Sequence, residues 1–437
     1  MSVKQSLNTN TNDAYSIFFD VAIIGGGPAG LIAAGRAAEL GAKVILIEKN
    51  DTLGKKLLIT GGGRCNVTNA ELDTRKLLER FKDDGKYLFS AFSQFGVKET
   101  LEFFHDRGME TKIENENRVF PVSNKSQSVL DVLISYIKDG GVTVLPNSAV
   151  TEILVKDKIV TGVKLKGGKT INAKSVIIAT GGTSHPETGS TGDAYAWLKK
   201  IGHKIITPEP SLVPIAVKDK WVKKLSGVTL ADVKIKILDN GDMKNTLVKK
   251  GKLLFTHVGL TGPMILNMSK DIGEMLKYSD VTLSLDLLPG FDYAKLNTKL
   301  QEIFKENDKK KFKNSFGGLL LSAMVPVIVE LSGINPEINC NSVSREERVK
   351  LMTLLKAIPI HVDRLLGSDK AIISSGGVVL DEVDFKTMSS RIYPNLYLIG
   401  DILNIDRPSG GFSLQLCWTS GYVAGTTSSS SKFQPCE

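Results

Sequence analysis

The sequence contains no C-x-x-C pair. Its four cysteines, Cys65, Cys340, Cys417 and Cys436, are scattered, which argues against a structural zinc site and against a disulfide framework. The five histidines, at 105, 185, 203, 257 and 361, show no metal-ligand spacing, so no metal centre is expected. Long apolar runs are also missing. The most apolar stretch, residues 317–331, is interrupted by Pro326 and Glu330. It falls short of the ~20 residues of a membrane span and reads as a buried helix. Residues 1–19 are polar and rich in Asn and Thr, unlike a secretory signal or an Arg-rich transit peptide. The expected location is therefore the cytoplasm, with no membrane partner.

What is present suits a soluble protein of two or three domains: 437 residues, 42% hydrophobic and 24% charged. Its most informative segment begins at residue 20. Residues 21–24 form a short apolar run of the buried parallel-strand type. Gly25, Gly27 and Gly30 complete G-x-G-x-x-G at the following turn. In that fingerprint the first glycine permits a tight turn, the second admits a pyrophosphate, and the third lets helix and strand pack closely. A helix is expected from about residue 28 to 40, opened by Pro28 and Ala29, with its free N–H groups facing the anion. A second strand ends at Glu48, 18 residues past Gly30, where a carboxylate accepts ribose hydroxyls. An acid there favours a free 2′-hydroxyl, hence FAD or NAD rather than NADP.

Further along, helical patterns at 77–81 and 99–107 alternate with polar turns, and Ser128 with Asp131 resembles a capping box. Strands are expected at 143–145, 150–155, 159–166 and 175–179, the last ending in Thr180-Gly181-Gly182. From about 204 the texture becomes strands followed by helices, and α/β texture returns near 372. The expected fold is α/β: a Rossmann-like domain (20–203 and 369–425) split by an inserted β-rich and helical domain (204–368). Mobile tails are expected at 1–19 and 426–437.

A second glycine fingerprint is absent, so one dinucleotide is expected to be held firmly. Thr180-Gly181 and Gly400-Asp401 end strands that should lie beside the first, at the edge where ligands bind. Asp401 suits the ribityl chain of FAD. Gly410 and Gly411 precede a helix from Phe412 whose N-terminus suits negative charge on a reduced flavin. Residues 57–69 pack three glycines, Arg64, Cys65, Asn66 and Asn69 into one loop. Arg64 offers a permanent cation for a phosphate or a substrate carboxylate. Cys65 has no partner nearby and reads as a packed or ligand-lining thiol.

These segments, with Arg118-Val-Phe-Pro-Val-Ser123, 179–193, 256–263 and Gly376-Gly-Val378, span nearly the whole chain. Together they resemble the bacterial FAD-dependent oxidoreductases of the aminoacetone oxidase-like, BaiN/YhiN-like family. The resemblance implies a split FAD domain with FAD contacts at Gly25, Gly27, Gly30, Glu48, Arg64, Thr180, Gly181, Asp401 and the Gly410-Gly411 turn. It also implies backbone contact to the adenine at Val150. Pro28, Ala29, Lys49, Gly62, Cys65, Asn66, Gly400 and Phe412 complete the candidate cofactor set. Phe412-Ser413 stands where Tyr-Asn is expected in the family.

Two candidates for catalysis remain, Arg64 and His257. His257, in Thr-His-Val-Gly-Leu-Thr-Gly-Pro, suits proton donation or substrate orientation, and equally a turn histidine bonded to backbone. The formal net charge is +9, with lysines clustered at 218–224, 249–252 and 309–313. No aromatic or arginine interleaving accompanies them, so a solvated surface is the expected reading. The expected function is flavin-mediated hydride transfer on a small molecule, either as a reductase visited transiently by NAD(P)H or as an amine oxidase. The alternative is a flavoprotein acting on RNA through the lysine-rich insert.

Overall fold

The structure is a computed structural model that describes residues 18–239, 247–367, 371 and 373–430. Most of both expected tails, and the expected domain join at 368–369, lie outside these residues. Two tail boundaries need correction. Phe18 and Phe19 belong to the first strand, Phe18–Ile24, because they pair with Asn172 and Ala173. Residues 426–429 continue the last helix, Phe412–Ser429, where Thr427 Oγ1 donates to Thr387 O at 2.7 Å.

Val21, Ala22, Ile23 and Ile24 have strands on both sides. They pair in parallel with Val44–Ile47 and with the end of Thr170–Ile178. Helices cover both faces of such a sheet, which is why the run is continuously apolar rather than alternating. The sheet order is Val383–Asp384, Ser389–Ser390, Leu396–Leu398, Thr170–Ile178, Phe18–Ile24, Val44–Ile47, Thr143–Leu145. The chain moves to one side of the first strand and later returns to the other. That reversal opens a crevice beyond the carboxyl ends of the strands, where ligands bind in open α/β sheets.

Helix Pro28–Glu39 lies against Phe412–Ser429 at backbone distance. A Cβ on Gly421 would fall 2.5 Å from Ala29 O, and one on Gly425 would fall 2.6 Å from Ala33 O. Gly421 and Gly425 are one turn apart, so one face of the last helix is smooth enough for this approach. Trp418 is fully buried, and its indole N–H donates to Val67 O at 2.9 Å. The expected capping box at Ser128 does not form. The helix begins earlier, at Ser126, and Ser128 Oγ instead meets Ser123 Oγ at 2.8 Å.

A two-stranded antiparallel ribbon, Ile205–Ser211 with Ile373–Val378, leads to a second hydrophobic core. There six strands close a barrel, in the order Ile215–Val217, Gly259–Thr261, Val248–Phe255, Thr229–Asp239, Val281–Asp286, Ile358–Leu365. Alternation decides the inside: Val233, Ile235 and Ile237 are buried while Lys234 and Lys236 are exposed. No described helix is long and apolar enough to cross a membrane.

Candidate functional site

The strand–turn–helix at 18–39 is shaped by collisions that only glycine avoids. Gly25 has φ +108°, and a Cβ there would meet Ala179 O at 2.4 Å; one on Gly30 would meet Gly25 O at 1.9 Å. Gly27 caps the helix without any side-chain hydrogen bond, and a Cβ on it would meet nothing within 4 Å. The first turn of the helix therefore opens onto free space with uncompensated N–H groups. Glu48 is buried. Its Oε2 accepts from Gly26 N–H at 2.7 Å and its Oε1 from Asn50 N–H at 2.8 Å. Further lone pairs on each oxygen remain for a ligand.

One cavity gathers most of the expected cofactor residues. Gly25, Gly27, Pro28, Ala29, Glu48, Lys49, Val150, Thr180, Gly181, Gly400 and Asp401 all line it. Thr180 Oγ1 is buried with no hydrogen-bond partner among the described residues. Lys49 bridges to Asp193 at 2.7 Å and to Thr191 Oγ1 at 2.5 Å, closing one wall.

Asp401 is not a free carboxylate. Arg407 Nη2 donates to its Oδ1, and Lys56 Nζ lies 3.3 Å from its Oδ2. Burial alone would push this carboxyl up, but the charges of Arg407 and Lys56 outweigh burial and hold it below the usual carboxylate range. The Arg407 side chain is 1% exposed; it also donates to Ser413 Oγ at 3.0 Å and to Ile405 O at 2.7 Å. One anion between two cations leaves this part of the cavity wall with net positive charge.

The remaining expected residues lie elsewhere. Gly30 is buried in the helix–strand contact. Gly62, at φ +68°, is exposed in a left-handed glycine turn, Thr60–Gly63. Arg64 does not line the cavity: its guanidinium lies 4.0 Å from the Phe120 ring centroid and pairs with Glu114 at 2.5 Å and Asn124 Oδ1 at 2.8 Å. Cys65 is fully buried, and burial pushes its thiol up to about 12, so it is packed rather than ligand-lining. Asn66 Oδ1 is buried without a partner among the described residues. Gly411, at φ +102°, sits where a Cβ would strike Thr68 C at 2.3 Å, and Asn69 Nδ2 donates to Gly410 O at 3.2 Å. Phe412 is buried edge-on against Phe81; its neighbours Ser413 and Leu414 reach the cavity instead. His257 is exposed in the turn between Val248–Phe255 and Gly259–Thr261 and outside the cavity wall. There Thr256 Oγ1 accepts from Gly259 N–H at 3.0 Å.

The expected site omitted Lys56, Arg407, Cys417 and Trp197, and the 188–193 loop, noted only as part of the 179–193 segment; all of these shape the cavity or its wall. Gly189 (φ +104°) and Gly192 (φ +77°) were the available signal for the loop. Nothing local marked Arg407.

The cavity fits an adenine dinucleotide. It offers an uncapped helix N-terminus to a pyrophosphate, an acid at the end of the second strand, and an unpartnered Thr180 hydroxyl. Among the described residues no cluster of three or more metal-ligating side chains occurs. Fold and site together define a flavin-dependent oxidoreductase of Rossmann type whose cofactor is FAD. More narrowly, the chain belongs to the HI0933-like protein Rossmann-domain family, whose model matches residues 19–427. It is 29% identical to the 3-dehydro-bile acid delta(4,6)-reductase of Clostridium scindens, across 93% of this chain and 98% of that one. It is 28% identical to the ribosomal RNA dihydrouridine synthase of Escherichia coli, across 93% and 96%. In shape it resembles a 3-ketosteroid-delta4-(5alpha)-dehydrogenase from Rhodococcus jostii, with a TM-score of 0.53 and 16% identity over 98% of this chain and 99% of that one. At that identity the likeness speaks for the fold alone.

Proposed function

We propose that this enzyme reduces a carbon–carbon double bond conjugated to a carbonyl, with NAD(P)H visiting transiently as electron source. One observation carries the reading. The two relatives above match along nearly their whole lengths, and both names denote reductions. A 4,6-unsaturated 3-ketone and a uracil ring share an acceptor in which hydride adds β to a carbonyl and a proton adds α to it. When bound and reduced by NAD(P)H, the flavin would supply that hydride through N5.

The residues divide the work as follows. Glu48 accepts the ribose hydroxyls, the N-terminus of helix Pro28–Glu39 faces the pyrophosphate, and the backbone at Val150 meets the adenine. Lys56 and Arg407, exceeding the single charge of Asp401, favour the anionic parts of the cofactor. The uncapped start of helix Phe412–Ser429 would stabilise negative charge that develops on reduction. The 57–69 loop and the Gly410-Gly411 turn touch and form the rim where substrate enters. Residues 18–203 and 373–429 form the cofactor domain, and the described residues between 204 and 367 the domain that covers the substrate.

The test is anaerobic mixing with NADH or NADPH, followed by a conjugated enone. Loss of the visible flavin band, then its return on adding the enone, is the expected sequence. Reduction by dithionite but by neither nicotinamide, together with peroxide release on adding small amines, would favour the oxidase reading and sink this one.

A second reading, in which the substrate is RNA, rests on a group of exposed lysines on the barrel. Lys234 stands directly across from Lys250 on neighbouring barrel strands, with Lys236, Lys249 and Lys252 also exposed. Of these, Lys250 is tied to Asp232 at 3.1 Å. RNA binding that weakens steeply with salt, with flavin reoxidation that requires RNA, would support this reading; salt-insensitive or absent binding would end it.

A further inference from the structure

The segment 404–411 joins two regions that cofactor chemistry alone leaves separate. On one side it carries Arg407, whose guanidinium enters the cofactor cavity wall through Asp401 and Ser413. On the other side it is gripped by the barrel domain. Lys270 and Asn267 lie on one face of helix Pro263–Leu276. Lys270 Nζ pairs with Asp406 and reaches Ser375 Oγ at 3.3 Å, and Asn267 Oδ1 accepts from Ser409 N–H at 2.9 Å. Ser375, on the ribbon between the two cores, donates to Asp406 Oδ1 at 2.8 Å. From the cofactor side, Asp84 Oδ2 accepts from Asp406 N–H at 2.9 Å. Asp406, just before Arg407, is therefore held by groups from both cores, and Ser409, two residues after it, by the barrel helix.

We propose that Arg407 is a positioning residue of the FAD site, and that docking of the barrel domain through Lys270 and Asn267 sets where it stands. Undocking releases Asp406 and Ser409, and the buried guanidinium between them loses its fixed approach to Asp401. Cofactor affinity and barrel docking then become coupled. The coupling is reciprocal, so FAD also favours the docked arrangement. Lys270 touches no part of the cavity, which makes it the informative probe.

The experiment is equilibrium titration of apoprotein with FAD, read by quenching of flavin fluorescence, for the full chain and for Arg407→Gln, Arg407→Lys, Lys270→Met and Lys270→Met/Arg407→Gln. Arg407→Gln is expected to weaken FAD about tenfold, since a charge-assisted contact is worth on the order of that factor. Arg407→Lys should recover part of the loss, because a cation still faces Asp401. Lys270→Met should weaken FAD about threefold alone and add nothing to Arg407→Gln, as expected for one pathway. Unchanged affinity in Arg407→Gln overturns the proposal, as does a Lys variant no better than Gln. So do effects of Lys270→Met and Arg407→Gln that multiply in the double variant. If Arg407→Gln does not fold, Lys270→Met, a half-exposed position, decides: affinity equal to the parent overturns the coupling.

Discussion

Glu48→Gln isolates one carboxylate at the heart of the proposed cofactor contacts. Both oxygens of Glu48 accept backbone N–H groups, from Gly26 at 2.7 Å and from Asn50 at 2.8 Å. Glutamine has nearly the same shape but only one acceptor oxygen. Its NH₂ must then face one of those two N–H donors, leaving a buried donor unpaired. An unsatisfied buried group costs about 1–3 kcal/mol. The loss falls on the turn under the cofactor, because Gly26 O also accepts from Gly54 N–H at 2.9 Å. Loosening Gly26 thus disturbs two walls of the cavity together. The charged acceptor offered to the ribose is lost as well. At about 1.4 kcal/mol per factor of ten, FAD should bind roughly ten- to a hundredfold more weakly. Titration of apoprotein with FAD measures this directly, and thermal melts with and without FAD separate loss of fold from loss of ligand. FAD affinity within twofold of the parent would refute the assignment of Glu48 to the ribose.

Gly421→Val should break the contact between the first and last helices. Its Cβ would stand 2.5 Å from Ala29 O and 2.4 Å from Ile32 Cγ2, overpacking that costs about 3 kcal/mol; denaturant unfolding with an unchanged midpoint would show that the helices yield instead. His203 gives a pH prediction. It is buried between Glu382, 2.7 Å from Nδ1, and Ser390 Oγ, 3.0 Å from Nε2. Burial lowers its affinity for a proton more than Glu382 raises it. The unfolded chain, with an ordinary pKa of about 6.5, then binds the proton better. Stability should therefore be full above about pH 6.5 and decline as pH falls toward the lower folded value. In His203→Gln the slope of unfolding free energy between pH 7.5 and 5.5 should flatten, and an unchanged slope would contradict this origin. Thiol labelling at pH 8 should spare Cys65 and Cys417, both pushed up to about 12 by burial; rapid modification of either in the folded protein, read by mass spectrometry of peptides, would contradict their packing.

The cofactor cradle was legible because its geometry is local. The collisions at Gly25 and Gly30 involve a strand, its own turn and its own helix, so a short motif encodes them. Asp401 was visible at its strand end, but its condition was not. Lys56 lies 345 residues away in the chain, and Arg407 reaches it only because the 404–411 segment folds back. Arg64 shows the converse. Its permanent charge was evident, yet Glu114, 50 residues on, claims it once strands Thr68–Asn69, Arg118–Pro121 and Thr111–Glu114 form a small sheet. The Gly421–Gly425 face was overlooked because its meaning depends on the helix that crosses it.

The most direct measurement is product analysis after anaerobic turnover with NAD(P)H deuterated at the transferable position. A 4,6-unsaturated 3-ketosteroid and a uridine-containing ribosomal RNA would be offered separately. Flavin bleaching by the nicotinamide, reoxidation by one acceptor, and a product carrying two new hydrogens across the conjugated double bond are expected. Deuterium retained through the flavin would raise the product mass by one unit beyond two protium atoms, and exchange with solvent would remove that extra unit while leaving two new hydrogens on the product. A flavin that no nicotinamide reduces, or a reduced flavin reoxidised by oxygen alone and by neither acceptor, would contradict the assignment.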